Sequence, residues 1–180
     1  GEVLQLSTQS NLDTSMEDYL EVIRGKTAAL FAAACEVGAV VADKNDTIQA
    51  ALRDYGMYLG IAFQMVDDVL DYNADREKLG KTVGDDFREG KITAPILIAL
   101  SKADAAERDF WRRTLGDKNQ TESDLAQAQA ILTRHDAFNG GLALARAYGD
   151  KALGALGNAP SHPLSPLLAE LVEFTVNRAY

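Results

Sequence analysis

Asp67, Asp68 and Asp71 stand within five positions of one another, in the stretch Gly60-Ile61-Ala62-Phe63-Gln64-Met65-Val66-Asp67-Asp68-Val69-Leu70-Asp71-Tyr72. On a helix, Asp67 and Asp71 are four apart and lie one turn above each other on one face. Gln64 and Gly60 fall on the same line, three and seven positions back. Leu59, Ala62, Phe63, Val66 and Leu70 present a side that reads as core. Acid clusters on helices are most often solvated surface. A row of acids set beside an apolar face is costly, however, unless something positive neutralises it. Mg²⁺ is the natural counter-ion, a hard cation that takes one or two carboxylates and leaves other positions to water or phosphate.

The elements that must position this row read as helical. Ala, Leu and Val dominate and only four prolines interrupt them, so residues 1–180 are expected to form a single all-α domain. Residues 2–10 look like the end of a helix, and Asn11 to Ser15 form a polar connection in which Ser15 or Thr14 can cap the next one. That next helix, 16–42, places Tyr19, Ile23, Leu30, Ala34 and Val37 near one stripe. Its alanines permit close helix–helix approach. Gly25, inside it, costs about 1 kcal/mol relative to Ala and invites a break or kink. Asn45 or Asp46 then caps a helix over 47–73, which carries the acid row.

From Asn73 to Lys91 the chain is charged and glycine-rich, which marks a long loop. Thr93 is expected to cap the following helix, with Pro95 tolerated in its first turn. Further helices are expected over 104–114, 122–136, 140–156 and 164–178, separated by Gly116, Gly140-Gly141 and Ala159-Pro160. Phe110 and Trp111 read as packing residues, and the isolated His135 and His162 as surface or capping positions.

Charge narrows the function. A net charge of −9 argues against nucleic acid as a partner. The longest apolar run, Thr27 to Ala42, contains Glu36 and falls short of the roughly 20 residues a membrane span needs. The single Cys35 excludes an internal disulfide and reads as a small core residue. No basic stretch of a secretory leader opens the sequence. A cytoplasmic location is the resulting expectation.

Four groups could converge on a ligand: Arg24-Gly25-Lys26-Thr27 at the helix break, Phe63-Gln64, the acid row, and the charged loop with Gly80-Lys81, Asp85-Asp86 and Lys91. Over 67–91 there are eight acids and five bases, so the segment stays negative without added cations. Lysines among these acids suit a polyphosphate. Metal ions would bridge its oxygens to the carboxylates, and lysines would bind the remaining charge. No P-loop pattern and no Ser-His-Asp or Cys-His set is present.

Lys26-Thr27 in an Ala-rich helix, Phe63-Gln64-x-x-Asp67-Asp68-x-x-Asp71, Gly80-Lys81, Asp85, Lys91 and the opening Gly1-Glu2-x-x-Gln5 together resemble the C-terminal half of a trans-polyprenyl diphosphate synthase. The resemblance is specific over residues 1–97 and merely compatible from 98 onward. It implies a bundle of long antiparallel helices around a central cavity, usually in a homodimer. The implied reaction elongates an allylic diphosphate with isopentenyl diphosphate, using Mg²⁺. Asp67 would bind Mg²⁺ directly, and Asp68 and Asp71 directly or through water. Lys26 and Lys81 would hold the allylic diphosphate, with Lys91 nearby, while the Thr27 and Gln64 oxygens face the developing allylic cation.

The family's first aspartate-rich motif and its isopentenyl diphosphate site have no match in these residues. The chain is therefore expected to be the C-terminal portion of a larger helical enzyme, and not active alone. A non-catalytic subunit of the same fold, acting as a dimer partner, is the alternative. A class I terpene cyclase fits the Lys-Thr and Gly-Lys elements less well.

Overall fold

The structure is a computed structural model and describes residues 2–72, 83–159 and 162–178. Its elements are α1 (Glu2–Thr8), α2 (Met16–Ile23), α3 (Ala29–Val41), α4 (Asp46–Leu70), α5 (Asp85–Glu89), α6 (Ala94–Lys102), α7 (Ala105–Trp111), α8 (Asp124–Arg134), α9 (Ala137–Gly157) and α10 (Ser165–Asn177). Single π-helical turns occupy Arg24–Ala28 and Arg112–Gly116. No strand occurs among the described residues. None of the described helices is long and apolar enough to cross a membrane.

The helix starts are built locally. Ser15 caps α2 in a reciprocal box: its hydroxyl accepts from the Asp18 N–H at 3.1 Å, and the Asp18 carboxylate accepts from the Ser15 N–H at 2.9 Å. Asn45 caps α4, its Oδ1 accepting from the Ile48 N–H at 3.1 Å. Thr93 precedes α6 with an extended backbone, but its hydroxyl makes no cap bond. It is buried beside the Tyr72 hydroxyl instead.

Gly25 does not break its helix. A π turn forms there instead, in which the Ala29 N–H reaches back to the Arg24 carbonyl and both flanking residues stay right-handed. One added residue rotates everything after it by about 100° at 3.6 residues per turn. The expected stripe therefore holds for Tyr19 and Ile23 and fails beyond: Leu30, Ala34 and Val37 are exposed, while Ala28, Ala32 and Ala39 face inward.

Two compact units divide the chain. The first comprises Ile23–Val66 and Ala143–Tyr180. Tyr55, Leu59, Ala152, Ala155, Leu156 and Val172 form a core here, with Cys35 packed on it. Backbones approach closely in this unit. A Cβ on Gly56 would lie 2.5 Å from the Phe31 carbonyl oxygen, and one on Gly60 would lie 2.6 Å from the Ala28 Cα. These glycines let α4 lie against the π turn and α3 with almost nothing between.

The second unit comprises Glu2–Val22 and Asp67–Leu142. Its core gathers Tyr72, Phe87, Ile96, Trp111, Leu115 and Leu132. Phe110 and Trp111 meet edge-on at 5.0 Å within it, as packing residues should. Gly140 and Gly141 lie inside α9 and separate nothing. They are small for contact: a Cβ on Gly141 would sit 2.8 Å from Val69 Cγ2, and one on Gly140 3.0 Å from Ile98 Cδ1.

His135 is half-buried and is the C-cap residue of α8, a capping position as expected. Its Nε2 meets Glu107 Oε2 at 2.7 Å, while Arg134 takes the other Glu107 oxygen at 2.8 Å. Glu107 also closes the Asp104 capping box of α7. Burial alone would raise the Glu107 carboxyl, but His135 and the Asp104 amide together hold it below the usual range. Asp124 is held well below its usual range by a two-pronged bond from Arg113, with both distances 2.8 Å. His162 is exposed and its Nδ1 accepts from the Leu164 N–H, a capping role as expected.

Two outcomes follow in a melting experiment. Gly56→Ala gains about 1 kcal/mol of helix propensity, but overpacking against backbone costs about 1–3 kcal/mol or more, so the melting temperature falls. Gly154→Ala, on α9 with open space around it, raises the melting temperature. Acid titration gives a second check. Glu107 and Asp124 have depressed folded values, so the unfolded chain binds more protons as pH falls below about 4.5. Their stabilisation is complete above that pH and is lost as pH drops through the folded values. Glu107→Gln flattens this acid limb.

Candidate active site

Lys26 and Thr27 lie in the π turn, where the helical backbone is already irregular. Lys26 is exposed. Thr27 is half-buried and donates its hydroxyl to Gln64 Oε1 at 2.7 Å. Two oxygens expected to face a ligand are thus joined to each other, a consequence of the backbone approach at Gly60 one turn earlier on α4. Phe63 carries the Arg178 guanidinium 4.0 Å over its ring and accepts from that group at its carbonyl oxygen, 2.9 Å away.

The acid row begins on the last turn of α4 and is not a solvated cluster. Asp68 is 4% exposed and Asp71 is 7% exposed, whereas Asp67 is half-buried. Each buried carboxylate has an internal donor. Tyr19, on α2, donates its hydroxyl to Asp68 Oδ2 at 2.7 Å. Burial, followed by the charge and hydrogen bond of Asp68 and the charge of Asp86, pushes the Tyr19 hydroxyl well above its usual range. The Ala94 amide opposes.

Asp71 organises the short helix α5. Its Oδ2 accepts from the Asp86 N–H at 3.0 Å and its carbonyl oxygen accepts from the Gly84 N–H at 2.8 Å. Gly84, the N-cap of α5, has φ 79° and no side chain to do this work. Asp71 is therefore a cap supplied from elsewhere in the sequence. Asp86 in turn binds Lys91, whose Nζ lies 2.7 Å from Asp86 Oδ1 and 2.8 Å from Glu89 Oε2. Burial works against the Lys91 charge, but these two carboxylates outweigh it and raise its pKa. Lys91 is an internally paired cation tied to the row through Asp86.

The structure thus joins Thr27 to Gln64, and Asp71 to Asp86 and Lys91. Gly80 and Lys81 lie outside the described residues. The donors of the row are all carboxylate oxygens, and among the described residues no three His, Cys, Asp or Glu side chains could hold a metal ion by themselves. Carboxylate oxygens are the donor type that a hard cation such as Mg²⁺ takes. Tyr19 reads from the sequence as core only. The signal for more is chemical: a buried phenol needs a partner for its hydroxyl.

The chain belongs to the polyprenyl synthetase family, whose profile matches residues 1–132, well past the stretch in which the motifs lie. It is 38% identical over 180 residues to an octaprenyl diphosphate synthase of Haemophilus influenzae, covering 100% of this chain and 54% of that protein. A geranylgeranyl diphosphate synthase of Saccharolobus solfataricus is 35% identical, with 99% and 54% covered. Among solved structures, a polyprenyl synthase from Caulobacter crescentus complexed with calcium and isoprenyl diphosphate superposes with a TM-score of 0.94. It has 46% identity, over 99% of this chain and 55% of that one. The chain spans about half the length of these relatives. The expected all-α fold is the polyprenyl synthase fold.

Capping by Asp71 makes a local prediction. Asp71→Ala removes the acceptor for the Asp86 N–H and destabilises by about 1 kcal/mol, the usual worth of a cap. Amide hydrogen exchange at Asp86 and its α5 neighbours should rise more than exchange in α10.

Proposed function

We propose that this chain supplies the metal- and diphosphate-binding side of a prenyltransferase that elongates an allylic diphosphate with isopentenyl diphosphate. The observation that carries this reading is the acid row itself: Asp68 and Asp71 are buried with internal donors, and Asp67 beside them is half-buried. Family membership and a relative complexed with calcium and isoprenyl diphosphate support it. When bound, Mg²⁺ would neutralise the departing diphosphate, as metal ions do for developing negative charge.

Asp67 leads the metal ligands in this reading, with Asp68 and Asp71 assisting. Lys26, which is exposed, is assigned to the diphosphate as a compact cation, together with Lys81. Lys91 tunes the row through Asp86 rather than by free contact. The Thr27 hydroxyl and Gln64 amide, joined to each other, turn fixed dipoles toward the allylic cation, a preorganised electrostatic role. A homodimer is part of the same reading. Leu30, Val37, Val40 and Val41 leave an exposed apolar face on α3, which supports a covering partner.

Calorimetric titration with inorganic diphosphate tests the proposal. Binding should require Mg²⁺ and should disappear in Asp67→Ala; indifference to both sinks the reading. The chain alone is expected not to elongate when both diphosphates and Mg²⁺ are supplied. Measurable elongation would overturn that expectation while leaving the site assignment in place.

A further inference from the structure

We propose that Tyr19 is a positioning residue for the acid row: from α2 it fixes Asp68 behind Asp67, so that the row meets a divalent cation already arranged. This rests on the reading that the row takes Mg²⁺ and diphosphate. Tyr19 is 3% exposed and its hydroxyl lies 2.7 Å from Asp68 Oδ2, so neither group is free to turn away into solvent. A phenylalanine here would fill the same volume without burying a hydroxyl. The phenol is therefore there for its donor.

Asp68 has little surface of its own and lies next to Asp67 in sequence on the last turn of α4. Tyr19 holds one of its oxygens and so bears on how the carboxylate faces a cation at Asp67. Without the Tyr19 donor, that buried oxygen loses a partner. Groups that orient ligand carboxylates in this way typically change metal affinity roughly 10- to 100-fold when removed. The nearby Tyr72 hydroxyl, buried among Asp86, Asp71 and Asp68, belongs to the same polar cluster but makes no hydrogen bond to Asp68 among the described residues.

The test uses the 180-residue chain, inorganic diphosphate and Mg²⁺. Tyr19→Phe should raise the Mg²⁺ concentration for half-maximal diphosphate binding roughly 10- to 100-fold. Adding Tyr19→Phe to Asp68→Asn should produce no further rise, because the tyrosine acts through that carboxylate. Melting in the absence of Mg²⁺ separates folding from positioning. A variant that melts earlier yet keeps the wild-type Mg²⁺ requirement overturns the inference, as does full additivity with Asp68→Asn. Both results leave the proposed function standing. Failure of the wild-type chain to bind diphosphate with Mg²⁺ removes that function and this inference together.

Discussion

Burying a carboxylate without a donor is among the most expensive arrangements a protein can contain, and this chain buries two on neighbouring turns. Asp68 and Asp71 explain features that otherwise look unrelated. α2 presents a phenol where packing alone asks only for a ring. α5 exists as a helix of five residues because Asp71 supplies the cap that Gly84 lacks. Lys91 is drawn into Asp86, which holds the charge of the segment in check. The acid row orders its surroundings even before a ligand arrives.

The cation-binding reading also makes sense of the net charge of −9. Under the proposed function the diphosphate would need positive charge that the chain as a whole lacks, and carboxylates would recruit it as metal. A metal bound together with the diphosphate would make the attraction conditional on both being present. Thr27 and Gln64 would contribute dipoles rather than charges, which suits a partner that is positive only briefly.

Much of the architecture was legible in the sequence because it is local. Ser15, Asn45 and Pro95 announce helix starts through side chains that act within three residues. Gly25 announced an irregular turn, although not its kind, and one inserted residue was enough to misplace Leu30 and Val37. Asp67, Asp68 and Asp71 stood out by type and spacing. What the chain order hid was every pairing made across it. Tyr19 reaches Asp68 over 49 positions and Thr27 reaches Gln64 over 37. Glu107 finds His135 over 28, which gave an apparently isolated histidine a buried partner. Gly140 and Gly141 were misread for a related reason, since a glycine that ends a helix and one that admits a neighbour are the same letter.

The short helix α5 has one more implication. It opens at Gly84 with φ 79° and closes at Gly90 with φ 73°, both in the left-handed region that other residues enter reluctantly. Added methyls at these two points would also strike Leu125 Cδ1 at 2.4 Å and Ser10 Oγ at 2.7 Å. The segment between them is fastened at both corners and in its middle, where Phe87 is buried in the core and Asp71 holds the Asp86 N–H. A side chain forced onto either glycine would therefore disturb Asp86 at a distance, and Asp71 with it, without any change to the acid row itself.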